Sequence, residues 1–176
     1  MMNWFVLFTL SGKEERVANH ISKFFDSDTL VPFVPKREIL FKWHGRVNKN
    51  IEILFPGYVF VKSGMKNLEF AKISKIILQQ ANGTIRLLGD KEHHHYQLSS
   101  SDRVFLDELL DQNYCLGSSV GIIDSNRVVI TEGPLQGRES TVIKIDRHKR
   151  QAVVEFSFMG AVRQMVVALD IIEKYD

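Results

Sequence analysis

The stretch Phe55-Pro56-Gly57-Tyr58-Val59-Phe60-Val61 limits the folds open to this chain more than any other. Proline fixes φ and donates no backbone hydrogen bond, while glycine accepts positive φ, so the backbone must bend or bulge at 56–57 and re-aim its neighbours. In a strand beyond the bend, Tyr58 and Phe60 face one way and Val59 and Val61 the other. One face enters a core. The other either offers aromatic surface to a partner or is itself sandwiched, with Tyr58 satisfied by a local hydrogen bond.

The residues before it supply a core. Trp4 to Leu10 is nearly all apolar and rich in aromatic and β-branched residues, which predicts a central strand buried on both faces. Ser11 stands three residues before Glu14 in capping-box spacing. Val17, Ala18, Ile21, Phe24 and Phe25 then follow at helical spacing, with Lys13, Glu14, Arg16 and Lys23 elsewhere, so an amphipathic helix ends near Asp26. Leu30 to Glu38 carries two prolines and is expected to be extended and irregular. Ile39 to Trp43 resumes strand character, and His44-Gly45 with the polar run Arg46 to Asn50 reads as a hairpin tip. Asn67 is placed to cap a short helix with Leu68, Phe70 and Ala71 on its apolar side, before a strand at Thr84 to Leu88. The order β-α-β-β-α-β is that of a ferredoxin-like sheet carrying two helices on one face. Leu98 to Asp102 staples and caps a further helix through Leu110, closing a first domain over 1–111.

Residues 112–120 lose the apolar pattern and read as a linker. Beyond them, strands at Arg127–Thr131, Thr141–Ile145, Ala152–Phe158 and Ala161–Val167, separated by glycine or polar turns, predict a small SH3-like barrel over 121–176.

Composition narrows the partners. With 23 basic and 21 acidic residues the net charge is only +2, so contact with nucleic acid has to come from local clustering. The single Cys115 excludes an internal disulfide and a multi-cysteine zinc site, as expected in a reducing compartment, with the cytoplasm as default. There is no basic leader at Met1-Met2-Asn3-Trp4, and no apolar run approaches the roughly 20 residues of a membrane span, so neither export nor membrane contact is expected.

Trp4-Phe5-Val6-Leu7 with Ser11-Gly12, the Phe55–Val61 block, and Glu132-Gly133-Pro134-Leu135-Gln136-Gly137 followed by Val142 to Asp146 resemble, in that order, the NusG family of transcription elongation factors. The resemblance covers nearly the whole chain. It implies an α+β N-terminal ferredoxin-like (NGN) domain that binds RNA polymerase, followed by an all-β SH3-like KOW barrel that recruits a further partner. On matching positions it places Phe8, Phe55 and Tyr58 on the surface that receives the polymerase clamp helices, a helix-in-groove contact that needs no catalytic group. General factors of the family carry a Phe-Gly-Arg…Thr-Pro-Val-Glu-Leu pattern in the last barrel strands. Here the stretch is Met159 to Val167, without that phenylalanine, arginine and proline. The segments Thr131 to Leu135 and Lys144 to Arg150 are most similar to LoaP-type antiterminators, whose KOW domain is associated with an RNA hairpin. The partners implied are RNA polymerase, a structured nascent RNA and non-template DNA, bound by a monomer. A general factor whose barrel recruits Rho or the ribosome is the alternative within the family.

Arg147, His148, Lys149 and Arg150 fall in one turn, with Arg138, Lys144 and Arg163 near in sequence or on adjacent strands. Side chains projecting from a hairpin tip reach phosphates along an RNA helix, where shape and backbone dominate recognition. A solvated turn is the plain alternative, and the resemblance favours RNA. A metal-dependent enzyme built on His93-His94-His95 is the alternative from another class. Consecutive residues on a loop, however, do not converge on one ion, so no metal, cofactor or catalytic residue is expected. Cys115 lacks a cationic neighbourhood and reads as a linker or packed thiol rather than a nucleophile.

Overall fold

The computed structural model describes residues 2–175. Its backbone forms three sheets and three α-helices. Contacts divide the chain into two units, Met1–Pro35 with Leu54–Arg103, and Lys36–Ile53 with Val104–Asp176.

In the first unit β1 (Asn3–Thr9) and β5 (Tyr58–Ser63) are the central strands of an antiparallel sheet, with β2 (Leu30–Phe33) and β6 (Thr84–Leu87) at its edges, in the order β2-β5-β1-β6. Pairing sets Phe8 opposite Tyr58, Val6 opposite Phe60 and Phe5 opposite Val61. Phe5, Leu7, Val59 and Val61 are buried on one face, where Phe5 stacks on Phe70 of α2 (Asn67–Gln80) with ring centroids 3.8 Å apart. Trp4, Val6 and Phe60 are buried on the other. The first strand is thus covered on both sides, as its apolar run predicts.

Five local expectations change. Leu30–Phe33 is a strand despite Pro32, because it lies at a sheet edge, where a missing N–H breaks no interior ladder. α1 (Glu14–Phe24) begins after Lys13 without a side-chain cap: Glu14 is buried and reaches across to Gly57 instead. Phe24, placed on the apolar side by its spacing, is exposed. Asn67 is the first helical residue rather than the cap, and its Oδ1 accepts hydrogen bonds from the Tyr96 and Gln97 amides at 2.8 and 2.9 Å. In that helix Phe70 and Ile77 enter the core while Leu68 is exposed.

In the second unit β3 (Lys36–Trp43) and β4 (Arg46–Ile53) form a hairpin closed by His44-Gly45 alone. Both turn residues have positive φ, 48° and 78°, as a two-residue loop that follows the strand twist requires. Arg46 to Asn50, expected as the tip, is strand. Residues 112–120 are not free chain either. β7 (Cys115–Leu116) pairs in parallel with Lys36 and Arg37, β8 (Ser119–Asp124) begins inside the segment, and the Ser118 amide donates to Glu38 at 2.8 Å.

α3 (Ser100–Leu109) starts as its sequence predicts, with Ser99 Oγ accepting the Asp102 amide at 3.1 Å and donating to its carboxylate at 2.7 Å. The remaining strands are β9 (Arg127–Glu132), β10 (Val142–Asp146), β11 (Gln151–Phe158) and β12 (Ala161–Tyr175), in the sheet order β10-β11-β12-β8-β9. β12 pairs antiparallel with β11 through Ala168, then parallel with β8 from Leu169 onward. It therefore runs well past the Val167 end expected from its sequence. Phe105 of α3 stacks on Phe156 at 4.9 Å.

Candidate functional site

The Pro56-Gly57 bend is a tight turn closed by the Tyr58 amide donating to the Phe55 carbonyl at 3.1 Å. Gly57 has φ +85°, and a Cβ there would stand 3.1 Å from the Phe8 ring and 3.3 Å from the Thr9 carbonyl oxygen. Proline followed by a positive-φ glycine is the signature of a type II turn. Both backbone polar groups of Gly57 are used: its amide donates to Glu14 Oε1 at 2.6 Å, and its carbonyl accepts from the Thr9 amide at 2.7 Å. Glu14 is buried, so this carboxylate ties α1 to the turn from inside the unit.

The turn positions an aromatic patch. Phe8 and Tyr58 are cross-strand neighbours with ring centroids 5.8 Å apart, both half-buried, and the Arg86 guanidinium lies 5.7 Å from the centre of the Phe8 ring. Phe55 is buried and packs on Phe60 at 5.9 Å. Of the three aromatic residues expected at one surface, Phe8 and Tyr58 are half-buried neighbours, whereas Phe55 is buried. Arg86 joins the patch from β6, where it lies opposite Phe8, and no local spacing in the sequence marks it.

The basic residues divide more sharply. Arg147, His148 and Lys149 are exposed in the turn between β10 and β11, with Lys144 exposed two residues before Asp146. Asp146 Oδ1 accepts the Lys149 amide at 3.0 Å and shapes the turn. Arg150 instead has φ +52° and pairs with Asp170. Arg138 pairs with Glu108 and lies over the Phe105 ring at 5.9 Å. Arg163 sits opposite Phe156, five residues along the ladder from the Gln151 end, or about 17 Å at strand rise, and donates to the Phe158 carbonyl. The seven residues therefore form a local cluster of four, two ion-paired side chains and one distant arginine.

A second basic feature lies on α1. Arg16, Asn19, His20, Lys23 and Phe24 recur at i, i+3, i+4, i+7 and i+8 and, with Gln80 to Asn82, line a cleft of about 290 Å³. His20 Nε2 is buried there without a hydrogen-bond partner. The helical spacing of the cations is visible in the sequence but reads as a solvated face until the α2–β6 loop is brought against it.

The histidine run is a closed turn. Asp90 and His95 exchange backbone hydrogen bonds at 2.7 and 2.9 Å, and His93 donates through its amide and ring to Asp90, which holds that carboxyl below its usual range. Among the described residues no group of three His, Cys, Asp or Glu side chains converges as metal ligands, and no helix is long and apolar enough to cross a membrane. Burial pushes the Cys115 thiol up, and the Asp111 and Glu38 charges add to the effect, so the thiolate is disfavoured.

Residues 2–104 match the family model described as NusG, transcription termination factor. The chain is 25% identical to the transcription termination/antitermination protein NusG of Rickettsia bellii, over 98% of this chain and 90% of that protein. It is 23% identical to the protein of the same name from Helicobacter pylori, over 99% of each. Among solved structures, one concerned with domain interaction in Thermotoga maritima NusG is similar with a TM-score of 0.47 at 17% identity, covering 96% of this chain and 94% of that one.

Proposed function

From the premise that this chain belongs to the NusG family of transcription termination factors, we propose that it is a specialised, antiterminating member that holds RNA polymerase and reads a structured nascent RNA. The family match over residues 2–104 is the observation that carries this reading. The proposed division of labour gives residues 1–111, an NGN-type domain, to polymerase and residues 121–176, a KOW-type domain, to RNA. The β2-β5-β1-β6 order of the first sheet and the five strands of the last support those two assignments.

Phe8 and Tyr58 are the proposed anchors for polymerase, with Phe55 behind them. Half-buried aromatic rings beside a cation lose little conformational entropy on docking and bury much apolar area. Truncating Phe8 or Tyr58 to Ala is expected to weaken polymerase capture by on the order of 2 kcal/mol while the fold is retained. Undiminished capture by both folded variants removes this surface from the reading.

For RNA, the exposed set Lys144, Arg147, His148 and Lys149 is the proposed contact. Arg138 and Arg150 must first leave Glu108 and Asp170 to take part, and Arg163 lies apart from the turn. About three phosphate contacts then set the salt dependence of binding. The Arg147→Ala/Lys149→Ala variant is expected to lose affinity for the RNA leader of its own target operon. It should also flatten the plot of log affinity against log salt by roughly one unit per lost contact, with polymerase capture unchanged. Equal, weak affinity for the leader and a scrambled hairpin would favour instead a barrel that recruits a protein. Non-template DNA is the proposed partner of the α1 cleft, whose lining contributes two permanent cations and no acid. Loss of crosslinking from that strand in Arg16→Ala/Lys23→Ala is the corresponding test.

A further inference from the structure

The β3–β4 hairpin carries a surface that none of the foregoing uses. β7 pairs only with Lys36 and Arg37, so beyond them the hairpin is a two-stranded ribbon. At the base of the ribbon Arg37 pairs with Glu52, and Glu38 with Lys49. From residue 39 to 51 there is no acidic residue, while Lys42, Arg46 and Lys49 are basic.

The tip is also aromatic. Trp43 is 64% exposed and Phe41 44% exposed, and the Trp43 and His44 rings meet edge to face at 4.7 Å. Directly opposed residues share a face, so Phe41 with Asn48, Trp43 with Arg46 and Ile39 with Asn50 form one continuous surface. Two exposed aromatic rings next to each other on one strand face form a contiguous apolar patch, the kind of feature that marks an interaction surface.

We propose that this face of the ribbon is a stacking platform for unstructured single-stranded nucleic acid. Phe41 and Trp43 lie two residues apart, about 6.7 Å at strand rise, roughly twice the 3.4 Å step of a stacked strand. They therefore offer separate π-faces to two bases of an extended strand, and such stacking tolerates any base. Arg46, directly opposite Trp43 on the same face, is placed to neutralise a phosphate, while Lys42 with Val47 lies on the reverse of the ribbon and adds to its positive field. Asn48 and Asn50 present amide groups able to meet base edges, Asn48 with its carbonyl oxygen left over after its NH₂ donates to the Arg46 carbonyl. Charge alone would suit any polyanion; the paired rings select one whose units are flat and aromatic. This platform is independent of the RNA reading of the 147–150 turn.

The full chain provides its own probe. Its two tryptophans are Trp4, 4% exposed, and Trp43, so quenching on titration reports the ribbon tip. Oligothymidylate and oligouridylate of about 12 nucleotides, within the ~4–16 nucleotide range of single-strand sites, are each expected to quench saturably. Quenching by both assigns recognition to bases in general, and quenching by one names DNA or RNA as the source. Phe41→Ala and Trp43→Ala, whose fold is checked by circular dichroism, should each weaken binding of a labelled strand roughly tenfold. Trp43→Phe should retain most of the affinity, and an abasic strand of equal length should bind about as weakly as the Ala variants. Absence of quenching by both oligonucleotides, unchanged affinity in Phe41→Ala/Trp43→Ala, or equal binding of the abasic strand overturns the platform. The Arg147→Ala/Lys149→Ala variant is expected to quench normally, so failure of the hairpin-RNA reading and failure of this one are separately visible.

Discussion

Glu14 shows how one residue changes meaning between sequence and structure. Its spacing from Ser11 suits a capping box, yet its carboxylate is buried and holds the Gly57 amide. Glu14→Ala would strand that buried N–H, at an expected cost of about 1–3 kcal/mol in urea unfolding. Glu14→Gln keeps an acceptor and should lose much less; equal losses in the two variants would mean that the hydrogen bond contributes nothing. Gly57 is constrained from both sides, by φ +85° and by the Phe8 ring 3.1 Å from a built Cβ. Gly57→Ala is expected to cost about 1–3 kcal/mol and to displace Phe8, so polymerase capture should weaken along with stability. A variant as stable as the parent would show that the turn has room to adjust.

At the scale of elements, the β3–β4 hairpin depends on its turn and on Glu38. Burial pushes the Glu38 carboxyl up, but the hydrogen bonds from Lys49 and Ser118 outweigh it and hold the group below its ordinary range. A carboxyl whose folded pKa is depressed contributes its stability above the unfolded value, about pH 4.3, and loses it as pH falls through the folded value. Glu38→Gln should therefore be less stable than the parent at neutral pH, by up to about 1 kcal/mol for a half-exposed pair, with the difference closing in acid. A gap that persists unchanged below pH 4 would assign the effect to packing. The turn is legible in advance only in part: His44-Gly45 marks a hairpin, but its two-residue length depends on Arg46 to Asn50 pairing as strand. Those polar residues look like loop until Ile39 to Trp43 is laid opposite them.

At the scale of the whole chain, the segment 112–120 is held by hydrogen bonds within the second unit. The Asp111 carboxylate accepts the Asn113 and Cys115 amides at 2.8 Å, Lys36 donates to the Tyr114 carbonyl at 2.9 Å, and Ser119 Oγ accepts the Leu135 amide at 3.1 Å. Backbone held in this way has to open locally before a protease can act, so limited proteolysis should spare 112–120 at early times. First cleavage there would restore the picture of a free linker. The sequence alone determined the apolar strand from Trp4, the amphipathic α1, the bend at Pro56-Gly57, the capped α3 and the family, because each rests on local periodicity, turn chemistry or an ordered set of short blocks. Only the tertiary structure decided which candidate residues belong together. It buried Phe55, joined Phe8 to Tyr58 and Arg86, moved Arg163 away from the basic turn and engaged Arg138 and Arg150 with distant carboxylates. These outcomes depend on strand register and on partners 20 or more residues away along the chain, and burial and ion pairing are settled by that long-range pairing, not by local spacing.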